Sequence, residues 1–229
     1  MSRKLIGSLL IVAVLLTAFV DEAPADEARW DLFISGGGSN SVLNDRDKLV
    51  ANDQSIRGVT VGVAFQLRIY DEFGIDAGIR YTEKGGAGTI DSTFAVPHFA
   101  NVTKQIGSAI VELDYIEFPL LFAFIWETSY DSYLRGYFGP SINWLVSSKV
   151  TGVVEGQPFE GDLDGEISNA EWTVVVGASF NYNFGGWQAL VDYRFVAGIS
   201  GIENGAPDIS LNTQTHEFSL GVGFRLAGY

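Results

Sequence analysis

Apolar and polar residues alternate along most of the chain from residue 30 onward. Residues 57–70 show the pattern most clearly. One face of this stretch is apolar and comprises Val59, Val61, Val63, Phe65, Leu67 and Ile69. The residues between them are small or polar. Because successive side chains of an extended chain point to opposite sides, a period of two residues predicts a β-strand with one apolar face.

Eight stretches show this alternation and are predicted to be strands. They cover residues 30–38, 57–70, 73–84, 111–126, 132–147, 170–183, 186–197 and 215–226. Most of them exceed the roughly five or six residues that are typical of strands in soluble sheets. They match instead the roughly 9–11 residues with which a tilted strand crosses the hydrocarbon core of a membrane.

The connections between these strands alternate between short and long. The short ones are residues 71–72, 127–131 and 184–185, and the long ones are residues 39–56, 85–110, 148–169 and 198–214. Short periplasmic turns and longer extracellular loops are typical of outer-membrane barrels. The pattern therefore predicts which end of the barrel faces outward from the cell.

The apolar face has two alternative orientations. A soluble lipocalin-like barrel turns it inward, whereas a membrane barrel turns it toward lipid. Two features favour lipid: the lysines after residue 25 lie in or beside the long connections, and the tryptophans lie near strand ends, as in aromatic girdles. These residues are Lys48, Lys84, Lys104 and Lys149, and Trp30, Trp126, Trp144, Trp172 and Trp187. The predicted fold class is all-β, an eight-stranded antiparallel up-and-down transmembrane β-barrel.

Charged residues on the polar faces of the strands are predicted to point into the barrel. They are Arg68, Asp76, Arg80, Glu117, Arg135, Asp192, Arg194, Glu217 and Arg225. Charges in a low-dielectric interior need partners. Counting residues from the short turns predicts four pairs of similar depth, which are Arg68–Asp76, Arg80–Glu117, Arg194–Glu217 and Arg225–Asp31. The count offers no acidic neighbour for Arg135.

The chain begins with the pattern of a secretory leader. Arg3 and Lys4 precede an apolar run over residues 5–20, and small residues follow at Ala23 and Ala25. The run is shorter than the roughly 20 residues of a membrane-spanning helix. We therefore expect residues 1–25 to be a signal peptide that is removed on export, and residues 26–229 to form the barrel domain.

The expected mature protein begins near Asp26 and fractionates with outer membranes, because the leader is cleaved after Ala25. N-terminal sequencing of membrane-extracted protein checks this prediction. A mature product that retains Met1 would contradict export through this leader.

Charge and composition limit the kinds of partner and metal site that the protein can have. The formal net charge is −14, and removal of residues 1–25 leaves it unchanged because that segment holds two basic and two acidic residues. Nucleic acid is not expected as a partner, since phosphate binding needs a basic surface. The chain has no cysteine, which excludes disulfides and thiolate metal sites. No cofactor is expected.

Two segments resemble a known family. They are residues 78–86, with the sequence GIRYTEKGG, and residues 113–120, with the sequence LDYIEFPL; residues 137–141 and 191–195 add to the likeness. The chain is similar here to the porin-family outer-membrane β-barrel domain. The resemblance implies a small barrel of the OmpA/OmpX type, with a plugged interior and a location in the outer membrane.

Three functions remain open at this stage. The first is a structural or surface-interaction barrel that contacts outer-membrane lipids and lipopolysaccharide, with an extracellular ligand at its long loops. The second is a narrow channel for ions or small solutes, and the third is a lipid-modifying enzyme. Catalysis is not expected, because alternation places His216 on the opposite face from Glu217 and Ser219, whereas a catalytic triad must converge. The other histidine, His98, lies in a long loop without an acidic neighbour.

The third long connection is acidic. It contains Glu155, Glu160, Asp162, Asp164 and Glu166. The run from 162 to 166 shares residue types with a calcium loop but lacks the full ligand spacing. A solvated acidic loop is therefore predicted, with cation bridging to lipopolysaccharide phosphates as the alternative.

Overall fold

The computed structural model confirms the predicted fold class. It describes residues 29–45, 50–91, 106–154, 156–163, 168–200 and 211–227. Within them, eight long antiparallel strands form a closed barrel, because the last strand pairs with the first. The predicted leader, residues 1–25, lies outside the described residues and stays a prediction. Among the described residues, no helix has the length and apolar character needed to cross a membrane.

The described chain contains ten strands. They are β1 (Arg29–Asp45), β2 (Val50–Gln54), β3 (Ile56–Tyr70), β4 (Phe73–Asp91), β5 (Ile106–Ser129), β6 (Ser132–Val154), β7 (Gln157–Asp162), β8 (Ala170–Asn183), β9 (Trp187–Gly198) and β10 (Leu211–Ala227). The barrel wall runs in the order β1-β3-β4-β5-β6-β8-β9-β10 and closes from β10 to β1. Strands β2 and β7 lie outside this ring, since β2 pairs with β4 and β7 pairs with β6.

The exposed and buried faces are opposite to those of a soluble protein. Large apolar side chains are exposed along every strand of the barrel wall, for example Val61, Phe138 and Leu220. The alternate positions are buried and mostly polar or charged. Transmembrane barrels show this arrangement because lipid solvates the outer face and the lumen holds the polar groups. The apolar face therefore points outward, as the distribution of lysine and tryptophan indicated.

The tryptophans mark both edges of the apolar belt. Trp126 and Trp187 lie next to the short turns, Trp172 lies near the opposite end of β8, and Trp144 lies beside it on β6. All four are more than two-fifths exposed. At the short-turn edge, Trp187 stacks on Phe184 with a centroid distance of 4.2 Å. Indole rings suit both edges, because they combine an apolar body with one polar group.

The long connections are shorter than the sequence indicated. Strands β1, β4, β5, β6 and β10 all extend into residues predicted as loops. Beyond the barrel, β2, β4, β5, β6 and β7 continue as a five-stranded antiparallel sheet. The prediction failed here because it followed apolar alternation. Above the membrane, ladder hydrogen bonds can continue between strands that have no lipid-facing stripe.

Candidate functional site

The interior of the barrel holds a network of charged side chains. Residues on β4, β6, β9 and β10 meet there because the even-numbered positions of β4 and β9 and the odd-numbered positions of β6 and β10 face the same lumen. Eight of the nine predicted interior charges are buried: Arg68, Asp76, Arg80, Glu117, Arg135, Asp192, Arg194 and Glu217. A closed lumen lets side chains from strands that are not neighbours touch one another.

The part of the network near the short turns centres on Asp76. Arg135 Nη1 lies 2.9 Å from Asp76 Oδ2, and Gln66 Nε2 donates a hydrogen bond of 3.0 Å to Asp76 Oδ1. The guanidinium of Arg135 also lies over the ring of Tyr137, 5.0 Å from its centroid. Arg135, for which the residue count offered no acid, thus pairs across the lumen with an acid from β4.

The middle of the lumen is crossed by two arginines that share one acid. Arg80 Nη1 and Arg194 Nε lie 3.3 Å and 3.7 Å from Glu217 Oε2. Arg194 also pairs with Asp192 at 3.1 Å. Arg80 donates further hydrogen bonds to Ser35 and Thr60. The network therefore links β1, β3, β4, β9 and β10 at one level.

Tyr137 fills the remaining width at this level. Its hydroxyl donates a hydrogen bond of 2.6 Å to Asp192 Oδ1. The ring lies against Gly177, where an added Cβ would meet the ring atoms. Leu121, Ala123, Val175 and Val196 pack against it in a buried apolar cluster. The glycine at 177 is thus what leaves room for an aromatic side chain to cross the lumen.

Toward the long-loop end the lumen holds a paired lysine beside an apolar cluster. Lys84 Nζ lies 2.6 Å from Glu117 Oε1, and both side chains are almost fully buried. Leu113 and Tyr115 are completely buried beside them, with Leu43, Val111 and Leu145 packed around. Lys84 was placed at the edge of a loop in the sequence analysis. The structure corrects this, since β4 continues to Asp91 and keeps Lys84 in phase with Arg80.

Three of the four predicted pairs need correction. Arg68 does not contact Asp76; its Nη1 lies 4.0 Å from Glu127 Oε1. Arg80 and Glu117 are directly opposite in the ladder, but their ion pairs go to Glu217 and Lys84. Only the pair of Arg194 and Glu217 is brought together. Residue counting finds neighbours on adjacent strands, whereas long side chains lean along the lumen or across it.

The third of the failed pairs, Arg225 with Asp31, lies at the end of the barrel. Arg225 lies opposite Asp31 in the ladder between β10 and β1, but Arg225 is exposed. Asp31 pairs instead with Arg29 at 2.9 Å. The assignment of Arg225 to the interior was therefore wrong. Position 225 is close to the last residue of β10, where the lumen opens to solvent.

Among the described residues, Lys84 and Glu171 are buried charges of the interior that were missing from the predicted set. Glu171 is fully buried and accepts hydrogen bonds from Thr213 Oγ1 at 2.6 Å and from Asn143 Nδ2 at 3.4 Å. Its position on the polar face of β8 was the available signal.

A family model supplies the classification of this architecture. The model described as "Outer membrane protein beta-barrel domain" matches residues 23–204, which is most of the chain. The chain belongs to this outer membrane barrel family. No curated protein matches it.

Solved structures of small bacterial barrels are similar to this outer membrane barrel. Ail of Yersinia pestis is 14% identical, with 86% of this chain and 98% of that chain covered, at a TM-score of 0.39. Neisserial surface protein A is 12% identical, with 85% and 97% covered, at 0.45. OprG from Pseudomonas aeruginosa is 11% identical, with 89% and 99% covered, at 0.44.

His216 lies among the described residues, and its side chain faces outward from the barrel. His216 is exposed, and its Nδ1 lies 2.7 Å from the hydroxyl of Tyr193. Glu217 and Ser219 are buried on the other face of β10. The three side chains therefore do not converge. His98 lies outside the described residues, as do Glu155, Asp164 and Glu166 of the acidic loop, whereas Glu160 and Asp162 lie on β7.

Proposed function

We propose that this outer membrane barrel is a non-conducting structural and surface-interaction protein. The observation that carries the proposal is the ion-pair network across the middle of the lumen. Arg80 and Arg135 form ion pairs with acids on other strands, and Arg194 forms one with an acid on its own strand. All three arginines are almost fully buried. A steady current needs a continuous water path, which side chains interlocked in this way interrupt.

The space left beside the network supports the same conclusion. A cavity of about 30 Å³ is lined by Ser35, Asp76, Arg80, Arg135 and Arg194 together with uncharged residues of β3, β4 and β5. Such a volume suits about one water molecule. We therefore favour a filled lumen over a narrow channel for ions or small solutes.

The proposed partners are lipids of the outer membrane and lipopolysaccharide, with an extracellular ligand at the long-loop end. The exposed apolar belt supports the lipid contact. The five-stranded extension of β2, β4, β5, β6 and β7 supports contacts outside the membrane, since it gives that end an ordered surface. Export through the leader and the absence of a catalytic role stay predictions.

The folded protein is expected to give no steady conductance in a planar lipid bilayer, because the interior charges block the lumen. A variant with Asp76→Ala, Arg135→Ala, Asp192→Ala and Arg194→Ala removes two acids and two bases, and with them three ion pairs, without changing the net charge. It is expected to conduct, since the volume of four large side chains becomes available to water. Single-channel recording measures both.

The matched control removes two acids and two bases from exposed positions. It carries Glu72→Ala, Glu112→Ala, Lys149→Ala and Arg225→Ala, and it is expected to remain silent. Circular dichroism verifies that each variant is folded. Steady, saturable currents through the unmodified protein would contradict the proposal and favour the channel.

A further inference from the structure

A band of polar side chains on β10, β1, β3, β4 and β5 faces outward just above the apolar belt. His216 lies opposite Asn40 in the ladder between β10 and β1, and Asn40 lies opposite Arg57 of β3. On the next two strands along the wall, Glu83 of β4 lies opposite Asp114 of β5. The band lies just beyond Trp144, Trp172 and Phe218 in the direction of the long loops. These are the last large aromatic side chains of the belt on β6, β8 and β10. Outward-facing charges are costly in hydrocarbon, so this level corresponds to the lipid headgroups.

A groove of about 240 Å³ opens in the wall at this level. Its lining includes Arg57, Glu83, Glu112, Asp114 and Lys149, which come from four adjacent strands, β3 to β6. Arg57, Glu112 and Lys149 are exposed, and Glu83 and Asp114 are half-buried. The groove therefore opens on the outer face of the wall, and the buried Lys84, which pairs with Glu117 in the lumen, forms part of its floor.

Besides Lys84, the groove is lined by two basic side chains, Arg57 and Lys149, and both are exposed. Within the part of the chain that the structure describes, neither Arg57 nor Lys149 forms an ion pair with a carboxylate. Their head groups are available to an anion. Guanidinium and ammonium groups bind phosphate oxygens through charge-assisted hydrogen bonds.

The carboxylates of the groove are crowded together. Glu83 and Asp114 are direct cross-strand partners, and like charges in that position destabilise a sheet. Glu83 accepts hydrogen bonds from the Val59 backbone N–H at 3.0 Å and from the Tyr81 hydroxyl at 3.3 Å, which fixes its carboxylate at the groove. Carboxylate oxygens are the usual protein ligands of Ca²⁺ and Mg²⁺. The charge of Lys84 is balanced by Glu117, and the remaining lining holds three acids, with Glu112, against two bases. A phosphate alone would therefore meet net repulsion.

We propose that this groove binds the phosphate headgroup of an outer-leaflet lipid together with a divalent cation. Glu83 and Asp114 contact the cation, which bridges to the phosphate, and Arg57 and Lys149 contact the remaining phosphate oxygens. The groove then fixes the height and rotation of the barrel against its lipid neighbours. The inference deepens the proposed lipid contact and depends on it for placing the long-loop end in the outer leaflet.

The test uses the folded mature protein in a zwitterionic detergent with diphosphorylated lipid A in mixed micelles and Mg²⁺. Phosphorus NMR follows the lipid phosphate signals during the titration. Binding of lipid A is expected to weaken about tenfold when Arg57→Gln and Lys149→Gln are combined. The reason is the loss of two charge-assisted contacts at a solvated site. Glu83→Gln with Asp114→Asn, or EDTA, is expected to remove the dependence on Mg²⁺.

The matched controls lie at the opposite rim. Arg225→Gln and Glu72→Gln make the same kinds of charge change at exposed positions near the short turns, and they are expected to leave binding unchanged. A second arm replaces the lipid with inorganic phosphate and Mg²⁺. Equal affinity for inorganic phosphate would overturn the assignment to a lipid.

Two further results would overturn the proposal. One is equal weakening by the groove variants and by the controls, which indicates nonspecific charge effects. The other is binding that EDTA does not change, which excludes the cation bridge. Because lipid binding is measured without a current, a failure here is distinguishable from a failure of the non-conducting lumen.

Discussion

Val63→Arg is expected to lower the free energy of unfolding by about 2–4 kcal/mol, because it places a charge in the middle of the lipid-facing belt. Val63 is 42% exposed on the outer face of β3 and lies opposite Ile34 and Ile79 on its neighbours. In hydrocarbon, no water is available to solvate the guanidinium. Urea unfolding of the protein in lipid vesicles, followed by tryptophan fluorescence, measures the change.

The chain supplies a closely matched control. Val153 is also 42% exposed and also points outward, but it lies on the part of β6 that extends beyond the barrel. Val153→Arg is therefore the same substitution at the same exposure in a wetter environment, and a change within about 0.5 kcal/mol is expected. If both variants unfold equally easily, the apolar belt is not in contact with lipid.

Glu117→Gln is expected to cost on the order of 3–5 kcal/mol, because it leaves the buried ammonium of Lys84 without its partner. The two side chains lie 2.6 Å apart and are almost completely shielded from solvent. Lys84→Met removes the same pair from the other side. The double variant is expected to be more stable than the sum of the two single changes predicts, and unfolding in vesicles gives the coupling energy.

A second cycle tests the specificity of that pair. Glu117 lies opposite Arg80 in the ladder, but Arg80 is paired with Glu217 at 3.3 Å. The coupling between Glu117→Gln and Arg80→Met is therefore expected to be smaller than the coupling with Lys84→Met. The reverse order would indicate that Arg80 and Glu117 pair directly, as residue counting predicts. A coupling near zero in both cycles would indicate a lumen wet enough to screen the charges.

The strands of the wall could be located from local sequence because lipid imposes a strict periodic rule. Each strand must present an apolar side chain at every second position over the thickness of the hydrocarbon. Strand β8 was predicted with the bounds that the structure shows, residues 170–183. The periodic rule no longer applies beyond the lipid headgroups, and the predicted strand ends are therefore inaccurate there. Strands β5 and β6 continue well beyond the predicted ends through ladder hydrogen bonds alone.

The ion-pair partners of the interior charges could not be predicted from local sequence in the same way. Sequence parity identified which side chains face inward, and it placed Arg80, Asp192 and Glu217 on the polar faces of their strands. It assumed that each charge pairs with a residue of the adjacent strand at equal depth. In a closed barrel, Arg135 of β6 reaches Asp76 of β4, and Arg80 of β4 reaches Glu217 of β10. Those distances depend on the curvature of the wall and on the lean of long side chains.

The lateral groove also depends on tertiary structure. Arg57, Glu83, Asp114 and Lys149 were separate residues at strand ends or in predicted loops, with no shared motif. They line one cavity because β3, β4, β5 and β6 are neighbours in the ring and stay paired above the belt. The sequence by itself determined the strands, their apolar faces and the lipid environment, since these follow from a local period of two. Closure of the ring decided which charges meet, because it alone brings distant strands around one lumen and aligns their outer ends.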